Sequence, residues 1–286
     1  MKPAPFVYHR PRSMQEALDV LAALGDEGKV LAGGQSLVPL MSMRLSAPGH
    51  LVDVNHVPGL ATVEVDDHVV RIGALTRHSR LEHDEVAHDA VPLLRQALQQ
   101  VAHPTIRNRG TTVGSLVHGD PAAEMPAVLL LLDGSVTLRD ANGSRDVNAA
   151  DFFIGPMETA LRPGELAVAA TFRRPTEGSG SSFVEVARRH GDYAVCGVGA
   201  VVTTAGGVLT SARVALISVA PGPVLVDLTP ALDGSLDDAG VHSMVEASIE
   251  PEDDIHATSD YRRHLAHVLV RRALDEAQHR ALGGAA

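Results

Sequence analysis

Residues 29–37 read KVLAGGQSL and decide the first part of the fold. Residues 29–32 have the apolar character of a short strand, Gly33 and Gly34 interrupt it, and residues 37–44 have helical character. Consecutive backbone N–H groups between a strand and a helix can surround a phosphate with little steric hindrance. The stretch therefore predicts a strand, a turn and a helix, and the turn is either an anion cradle or a tight connection without a ligand.

A helix and a β-rich portion flank this turn. Ser13 and Glu16 fit a capping box, which predicts a helix that ends at Gly25. Residues 51–54 predict a second buried strand, and residues 62–72 alternate as in a β-hairpin. Pro92 suits the first position of a helix that continues to about residue 101, because its missing N–H is not needed there.

A second candidate site lies in residues 104–124, which are rich in Thr, Gly, Ser, Asp and Pro. This composition predicts an irregular segment, and long irregular segments inside a compact domain are often functional. Within it, residues 109–115 read RGTTVGS and offer hydroxyls and flexible backbone to a diphosphate. Each turn alone is more often a plain connection, but two in one domain favour a dinucleotide, which has two phosphates.

A domain boundary is expected near residue 177, because residues 174–182 have the composition of a linker. Beyond it, residues 183–188, 197–204 and 208–219 predict strands, the last two joined by a turn at Gly206 and Gly207. The segment 259–278 predicts a final helix on the sheet. Its expected apolar positions are Tyr261, Leu265, Val268, Leu269 and Leu274, with Arg262, Arg263, Arg271 and Arg272 elsewhere.

Composition excludes several classes of protein. The single cysteine among 286 residues, Cys196, rules out an internal disulfide framework or a self-contained iron–sulfur cluster. The formal net charge of −11 argues against nucleic acid as the main partner. No apolar segment suits a signal peptide or a membrane span, which predicts a cytoplasmic protein without a transmembrane segment.

Familiar nucleotide and metal motifs are missing from the sequence. It has no G-x-G-x-x-G after a strand and no G-x-x-x-x-G-K-[ST], which disfavours a Rossmann dehydrogenase and a P-loop ATPase. The 15 histidines form no H-E-x-x-H motif, so surface histidines are expected rather than a metal site.

Three other places carry chemically suggestive side chains. Asp120 and Glu124 are four residues apart, a spacing that places both carboxylates on one side of a helical turn, where Asp120 either caps a helix or contacts a ligand. Cys196 lies among apolar residues, which favours an inert buried thiol. Tyr193 follows Asp192 and either packs in a core or covers an aromatic ligand.

Four stretches in this order carry a family resemblance: AGGQSL at 32–37, RGTTVGS at 109–115, GDPAAEMP at 119–126 and RRHGDYA at 188–194. Together they resemble the FAD-binding medium subunit of molybdenum hydroxylases, the group of aerobic carbon monoxide dehydrogenase and xanthine dehydrogenase. The resemblance implies an α+β fold. An FAD-binding domain of the vanillyl-alcohol-oxidase (PCMH) type, with two α/β lobes, would span residues 1–177, and a smaller C-terminal α/β domain would span 178–286.

The resemblance also implies residue roles, all of them in FAD binding and none catalytic. The first loop and the second loop would hold the pyrophosphate, Glu124 stands where the family usually has an Asp that contacts FAD, and the remaining positions lie near the isoalloxazine ring. The expected FAD-binding residues are Ala32, Gly33, Gly34, Gln35, Ser36, Leu37, Thr111, Gly114, Ser115, Glu124, Leu166, Asp192 and Tyr193.

As a member of this family, the chain would be an oxidoreductase that relays electrons through FAD to an external acceptor. The implied partners are a small subunit with [2Fe–2S] clusters and a large subunit with the molybdopterin cofactor, assembled as a heterohexamer. Two alternatives remain at this point. One is a stand-alone FAD-dependent reductase or oxidase of the same fold, and the other is a scaffold subunit that has lost FAD.

Four residues depart from the family pattern. The second loop usually reads T-I-G-G, whereas this chain has Thr112 at the Ile position and Val113 at the first Gly position. Because Val adopts a positive φ only at a cost, the loop either keeps ordinary backbone angles there or binds FAD differently. Glu124 has a longer side chain than the usual Asp. Glu185 lies near the position at which some members of the family have a Lys, and an acid there would make the surroundings of the flavin less positive.

Overall fold

A computed structural model describes residues 2–232 and 235–283 of the chain. Its first lobe is a parallel three-stranded sheet in the order β1-β3-β2. As predicted, the Ser13 hydroxyl caps the first helix by accepting the Glu16 N–H at 3.2 Å, and Gly25 ends it. The lobe consists of β1 (Val7–His9), α1 (Met14–Leu24), β2 (Gly28–Leu31), α2 (Leu37–Ser42) and β3 (His50–Asp53).

The second lobe is built on an antiparallel five-stranded sheet in the order β4-β5-β10-β6-β7. The predicted hairpin forms its first two strands. A small two-stranded hairpin, β8 and β9, lies between β7 and β10 in the chain. The strands are β4 (Val63–Val65), β5 (Val69–Gly73), β6 (Ser135–Arg139), β7 (Ser144–Asn148), β8 (Phe153–Gly155), β9 (Glu158–Thr159) and β10 (Leu166–Arg173).

Helices connect the strands of this lobe, and they correct one expectation. Residues 104–124, expected to be irregular, contain two short helices and the start of a third. Their polar and special residues are helix ends: Pro104 is at the first position of α6, Thr111 caps α7, and Gly119 ends α7 with φ +62°. The helices are α3 (His78–Glu82), α4 (Glu85–Ala90), α5 (Pro92–Leu98), α6 (Pro104–Arg107), α7 (Thr112–His118), α8 (Glu124–Leu131) and α9 (Ala149–Phe152).

The buried helix α8 packs between the lobes and the C-terminal sheet. All eight of its residues, EMPAVLLL, are buried. It packs on α5, α7 and α9 on one side and on β12 (Ala194–Ala205) and β13 (Val208–Ile217) on the other. A helix enclosed on all sides is apolar around its whole circumference, which explains why this segment has no amphipathic pattern.

The C-terminal region is an antiparallel sheet in the order β11-β12-β13-β14, covered by helices. The Gly206-Gly207 turn joins β12 to β13, and both glycines have positive φ. The strand β11 begins at Ser179, so the linker expected over 174–182 is shorter than predicted. The additional elements are β11 (Ser179–Ala187), β14 (Val224–Asp227), α10 (Asp238–Glu246) and α11 (Ser259–Ala281).

The final helix, α11, packs against β11 and β12 as expected, but its faces differ from the prediction. Tyr261 and Val268 are exposed, whereas Arg262 is buried. The Arg262 guanidinium donates to the carbonyls of Val195 at 2.7 Å and Ser218 at 3.0 Å. These carbonyls, together with the Asp254 carboxylate at 2.6 Å, accommodate a buried cation, which no periodic pattern of apolar residues indicates.

The α+β class, with two lobes and a smaller C-terminal unit, is confirmed. Within the described residues, no helix combines the length and the apolar character that a bilayer crossing requires.

Candidate functional site

A cleft of about 480 Å³ lies where the two lobes meet the turn between β11 and β12. It brings together all thirteen residues for which the sequence predicted a binding role. They come from five separate parts of the chain: Ala32, Gly33, Gly34, Gln35, Ser36, Leu37, Thr111, Gly114, Ser115, Glu124, Leu166, Asp192 and Tyr193. A wider groove of about 1020 Å³, between the second lobe and the start of β11, is lined by none of them.

The first turn, residues 32–37, exposes its backbone to the cleft. Gly34 has φ +73°, a conformation that suits glycine. Among the described residues, the N–H groups of Gly33, Gly34, Gln35 and Ser36 donate to no acceptor. Several adjacent donors without internal partners are what an anion-binding turn requires.

The two turns touch each other at Gly33. A Cβ atom added to Gly33 would lie 2.5 Å from the Arg109 carbonyl oxygen and 2.9 Å from the Gly110 Cα. Both obstacles are backbone atoms, which cannot move aside as a side chain can. Glycine is therefore required at position 33 by the approach of the second turn.

A hydrogen-bonded clamp formed by Asn55 and Arg77 also joins the turns, and the sequence interpretation missed it. The Asn55 amide donates to the Ala32 carbonyl at 2.8 Å and to Asp53 at 2.6 Å. Arg77 donates to the Asn55 side-chain oxygen at 2.7 Å and to the Arg109 carbonyl at 2.6 Å. The only sequence signal was the polar pair Asp53 and Asn55 at the end of a buried strand.

The second turn, residues 109–115, is the capped start of α7. The Thr111 hydroxyl accepts the Gly114 N–H at 3.2 Å, and the Thr111 carbonyl accepts the Ser115 N–H at 3.0 Å. Val113 is buried inside this helix and is absent from the residues with positive φ. Of the two possibilities for this departure from the family pattern, the ordinary backbone conformation is therefore the one observed.

His78 packs against the second turn and also lines the cleft. Its Nδ1 lies 3.1 Å from the Thr112 hydroxyl, and the backbone N–H of His78 donates to the Gly110 carbonyl at 3.0 Å. Complete burial, reinforced by the charge of Arg107, lowers the His78 pKa from 6.5 to about 4. The ring is therefore neutral at physiological pH.

Glu124 opens α8 at the wall of the cleft with a relative exposure of 9%. Burial, with a smaller contribution from the charge of Asp120, raises its pKa from 4.5 to about 7. Asp120 is in a turn rather than on a shared helical face with Glu124. Its Oδ1 accepts the Ala122 N–H at 2.9 Å, so of the two roles considered for Asp120 the helix cap is not formed, and the carboxylate stabilises a local turn instead.

The remaining predicted residues lie on two sides of the cleft. Leu166 begins β10 and is buried in its wall. Asp192 and Tyr193 come from the C-terminal region, and Tyr193 is 67% exposed at the cleft mouth. Tyr193 is thus not a core residue, which leaves its ring available to cover a ligand. Cys196 is buried and its pKa is raised to about 12 by burial, in agreement with an inert thiol.

Family comparisons cover most of the chain. A family described as "FAD binding domain in molybdopterin dehydrogenase" matches residues 4–172. A second family, "CO dehydrogenase flavoprotein C-terminal domain", matches residues 181–277. The chain belongs to the FAD-binding medium subunits of the molybdenum hydroxylase family. It is therefore an oxidoreductase subunit with FAD as its cofactor.

Individual relatives span the full chain. The 6-hydroxypseudooxynicotine dehydrogenase complex subunit alpha of Paenarthrobacter nicotinovorans is 39% identical, over 98% of this chain and 97% of its own. The solved carbon monoxide dehydrogenase of Hydrogenophaga pseudoflava matches with a TM-score of 0.93 and 34% identity, over 98% of this chain and 99% of its own. Quinoline 2-oxidoreductase of Pseudomonas putida 86 matches with a TM-score of 0.90 and 35% identity, over 99% and 100%.

The cleft suits FAD on its own chemistry. Ligand pockets typically enclose about 300–1,000 Å³, a range that includes this cleft. The first turn supplies unpartnered N–H donors for phosphate oxygens, and Gly33 allows the backbone of the second turn to lie directly against it. Among the described residues, no three His, Cys, Asp or Glu side chains are grouped to hold a metal ion.

Proposed function

We propose that this chain is the electron-transfer subunit of a molybdenum hydroxylase complex. In this proposal it receives electrons from [2Fe–2S] clusters on a small partner subunit, and substrate is oxidised on a large molybdopterin-containing subunit. The observation that carries it is the convergence of both turns, Glu124 and Tyr193 on one cleft. The presence of a single, buried cysteine supports the same division of roles, since a [2Fe–2S] cluster requires several ligands.

The roles of the thirteen residues follow from their environment. We assign the pyrophosphate to the first turn, because its N–H groups lack internal acceptors whereas those of Gly114 and Ser115 are used within α7. The Ser115 side chain and Thr111 then form the opposite wall. Leu166 and Tyr193 would enclose the isoalloxazine ring between an aliphatic and an aromatic surface, with Asp192 beside it.

Bound FAD would supply the redox chemistry, exchanging one or two electrons with its neighbours. The protein holds the cofactor, excludes water on the Leu166 side and leaves the Tyr193 side open. The acidic groups Asp120 and Asp192 both line the cleft, and negative charge disfavours added electrons. Their expected effect is a lower reduction potential of the cofactor.

We further propose that a heterohexamer of paired three-subunit units is the working assembly. The division into domains near residue 177 belongs to the same proposal, with residues 1–177 and 178–286 as its parts. It is supported by the change of sheet between β10 and β11.

The decisive experiment compares the purified chain alone with the chain co-expressed with its partners. FAD in about equal molar amount, together with substrate-dependent reduction of the flavin only in the presence of the partners, is the expected result. Turnover of a small substrate by the isolated chain would favour a stand-alone reductase or oxidase. A protein that neither contains nor takes up FAD would favour the scaffold alternative.

A further inference from the structure

Glu124 is a buried carboxyl group without a partner from another residue. Its side chain lines the cleft, is 9% exposed and accepts no hydrogen bond from another described residue. A buried ionised carboxylate in such a place is costly, because water is removed and only the backbone N–H of Glu124 itself donates in its place. Its protonated form is correspondingly favoured.

Glu185 approaches the same place from the C-terminal region. Alternation along β11 places residues 181, 183 and 185 on one face, where Ser181 bonds Gln96 and Phe183 joins the core of the lobes. Ser182, on the other face, bonds Glu276 of α11. Glu185 therefore points toward the lobes and away from α11.

The carboxyl of Glu185 also lacks a partner. Its Oε2 is fully buried and has no hydrogen-bond partner among the described residues. On the neighbouring strand it faces Gly197, where an added Cβ would lie 3.3 Å from the Glu185 Cβ. Burial and then the negative charge of Glu124 raise the Glu185 pKa to about 8.

Like charges act on each other mutually, so whichever carboxyl ionises first raises the pKa of the other.

The other titratable groups at this place do not neutralise the pair. Asp120 adds negative charge and raises the pKa values of both Glu124 and Tyr193. The basic side chains that line the cleft are Lys29, His78 and His118. His118 lies 4.0 Å from Asp120 and its pKa is lowered by burial.

We propose that Glu124 and Glu185, contributed by the lobes and the C-terminal region, hold one shared proton beside the cleft at neutral pH, and that FAD binding draws a further fraction of a proton into this pair. The second part rests on the proposed FAD site. Its cause is electrostatic: the cofactor carries a doubly negative diphosphate, and a nearby anion favours the protonated form of a carboxyl. The proton comes from the solvent buffer.

The shared proton is tested first on the full chain without FAD, by the infrared carbonyl band of protonated carboxyl groups in protein with ¹³C-labelled glutamate. The band should be present at about pH 6 and disappear through about pH 7 to 8. In Glu185→Gln the titration of Glu124 should shift to lower pH, and in Glu124→Gln that of Glu185 should do the same. Glu64→Gln removes an exposed carboxylate of equal charge and should change neither.

Two outcomes would overturn the pair: no protonated glutamate band near neutral pH, or titrations that stay unchanged when the other carboxyl is replaced. Because this measurement uses protein without cofactor, its result does not depend on the proposed FAD site. If one variant fails to fold, the other still reports the coupling.

Proton uptake is tested by calorimetry of FAD binding in two buffers with different ionisation enthalpies, near about pH 7.5. Wild type and Glu64→Gln should show buffer-dependent heats, and FAD affinity should fall by up to about tenfold per pH unit above the midpoint of the pair. The dependence should be reduced in Glu185→Gln and Glu124→Gln. Equal heats in both buffers with FAD bound would refute the linkage, whereas absence of binding would refute the proposed function instead.

Discussion

The two turns that meet at the cleft have similar residues but use their backbones differently. Residues 32–37 leave consecutive N–H groups without internal acceptors, whereas Thr111 engages the N–H groups of Gly114 and Ser115 within α7. The first turn is therefore a set of free donors, and the second is a rigid helix start that supports it. Similar glycine and hydroxyl content thus specifies two different physical roles.

The largest effect is expected from Gly33→Val, which breaks the contact between the turns. Its side chain would collide with the backbone of Arg109 and Gly110 and push the turns apart. Overpacking costs about 1–3 kcal/mol, and because only backbone atoms could give way here we expect the upper end, a fall in FAD affinity of about 100-fold, while the circular dichroism spectrum persists. Gly49→Val is the matched control, because an added Cβ at Gly49 meets nothing within 4 Å. Retention of stoichiometric FAD by Gly33→Val would contradict the first turn as the cradle.

Acid pH should weaken the second turn through His78. Its folded pKa of about 4 lies below its unfolded value of about 6.5, so the unfolded chain binds the proton more tightly. The stability contribution is complete above pH 6.5 and is lost as the pH falls toward 4, by roughly 3 kcal/mol in total. Urea unfolding of wild type and His78→Gln across this range measures it. Identical pH slopes in both proteins would show that His78 is not the titrating group.

Asn55→Ala removes the centre of the clamp between the turns. It removes the Asn55 donor to the Ala32 carbonyl and one of the two acceptors of Arg77, a loss of about 1–3 kcal/mol, and FAD affinity should fall about tenfold. A double-mutant cycle with Arg77→Lys separates the clamp from general destabilisation, because coupled residues give a non-additive change. Additive effects on FAD affinity would indicate that the two residues act independently.

The smallest effect on FAD affinity is expected from Thr111→Ala, which tests whether the second turn contributes to stability rather than to cofactor binding. Loss of the N-cap should lower the free energy of unfolding by about 1 kcal/mol, with FAD affinity changed by less than about threefold. Thr111→Ser keeps the hydroxyl and should restore stability. A large loss of FAD affinity without a loss of stability would reverse the roles assigned to the two turns.

Short sequence motifs predicted helix ends and turns correctly where the residue type is typical of a single local structure. The Ser13 cap, the Gly206-Gly207 hairpin and Pro92 at a helix start are decided by a few neighbouring backbone groups, and each was found as predicted. Residues 104–124 misled the interpretation because Pro, Thr and Gly are typical both of loops and of helix ends. Only the packing of α7 and α8 distinguishes the two.

The sequence by itself determined which stretches carry the chemistry, because the motifs at 32–37, 109–115, 119–126 and 188–194 are local arrangements of residue types. Tertiary structure alone decided that these stretches share one cleft, that Gly33 touches Gly110, and that Asn55 and Arg77 join the turns. It also placed Glu124 and Glu185 so that the negative charge of Glu124 raises the pKa of Glu185. The physical reason is that contacts and burial depend on atoms far apart in the chain, and a one-dimensional pattern contains no distances between them.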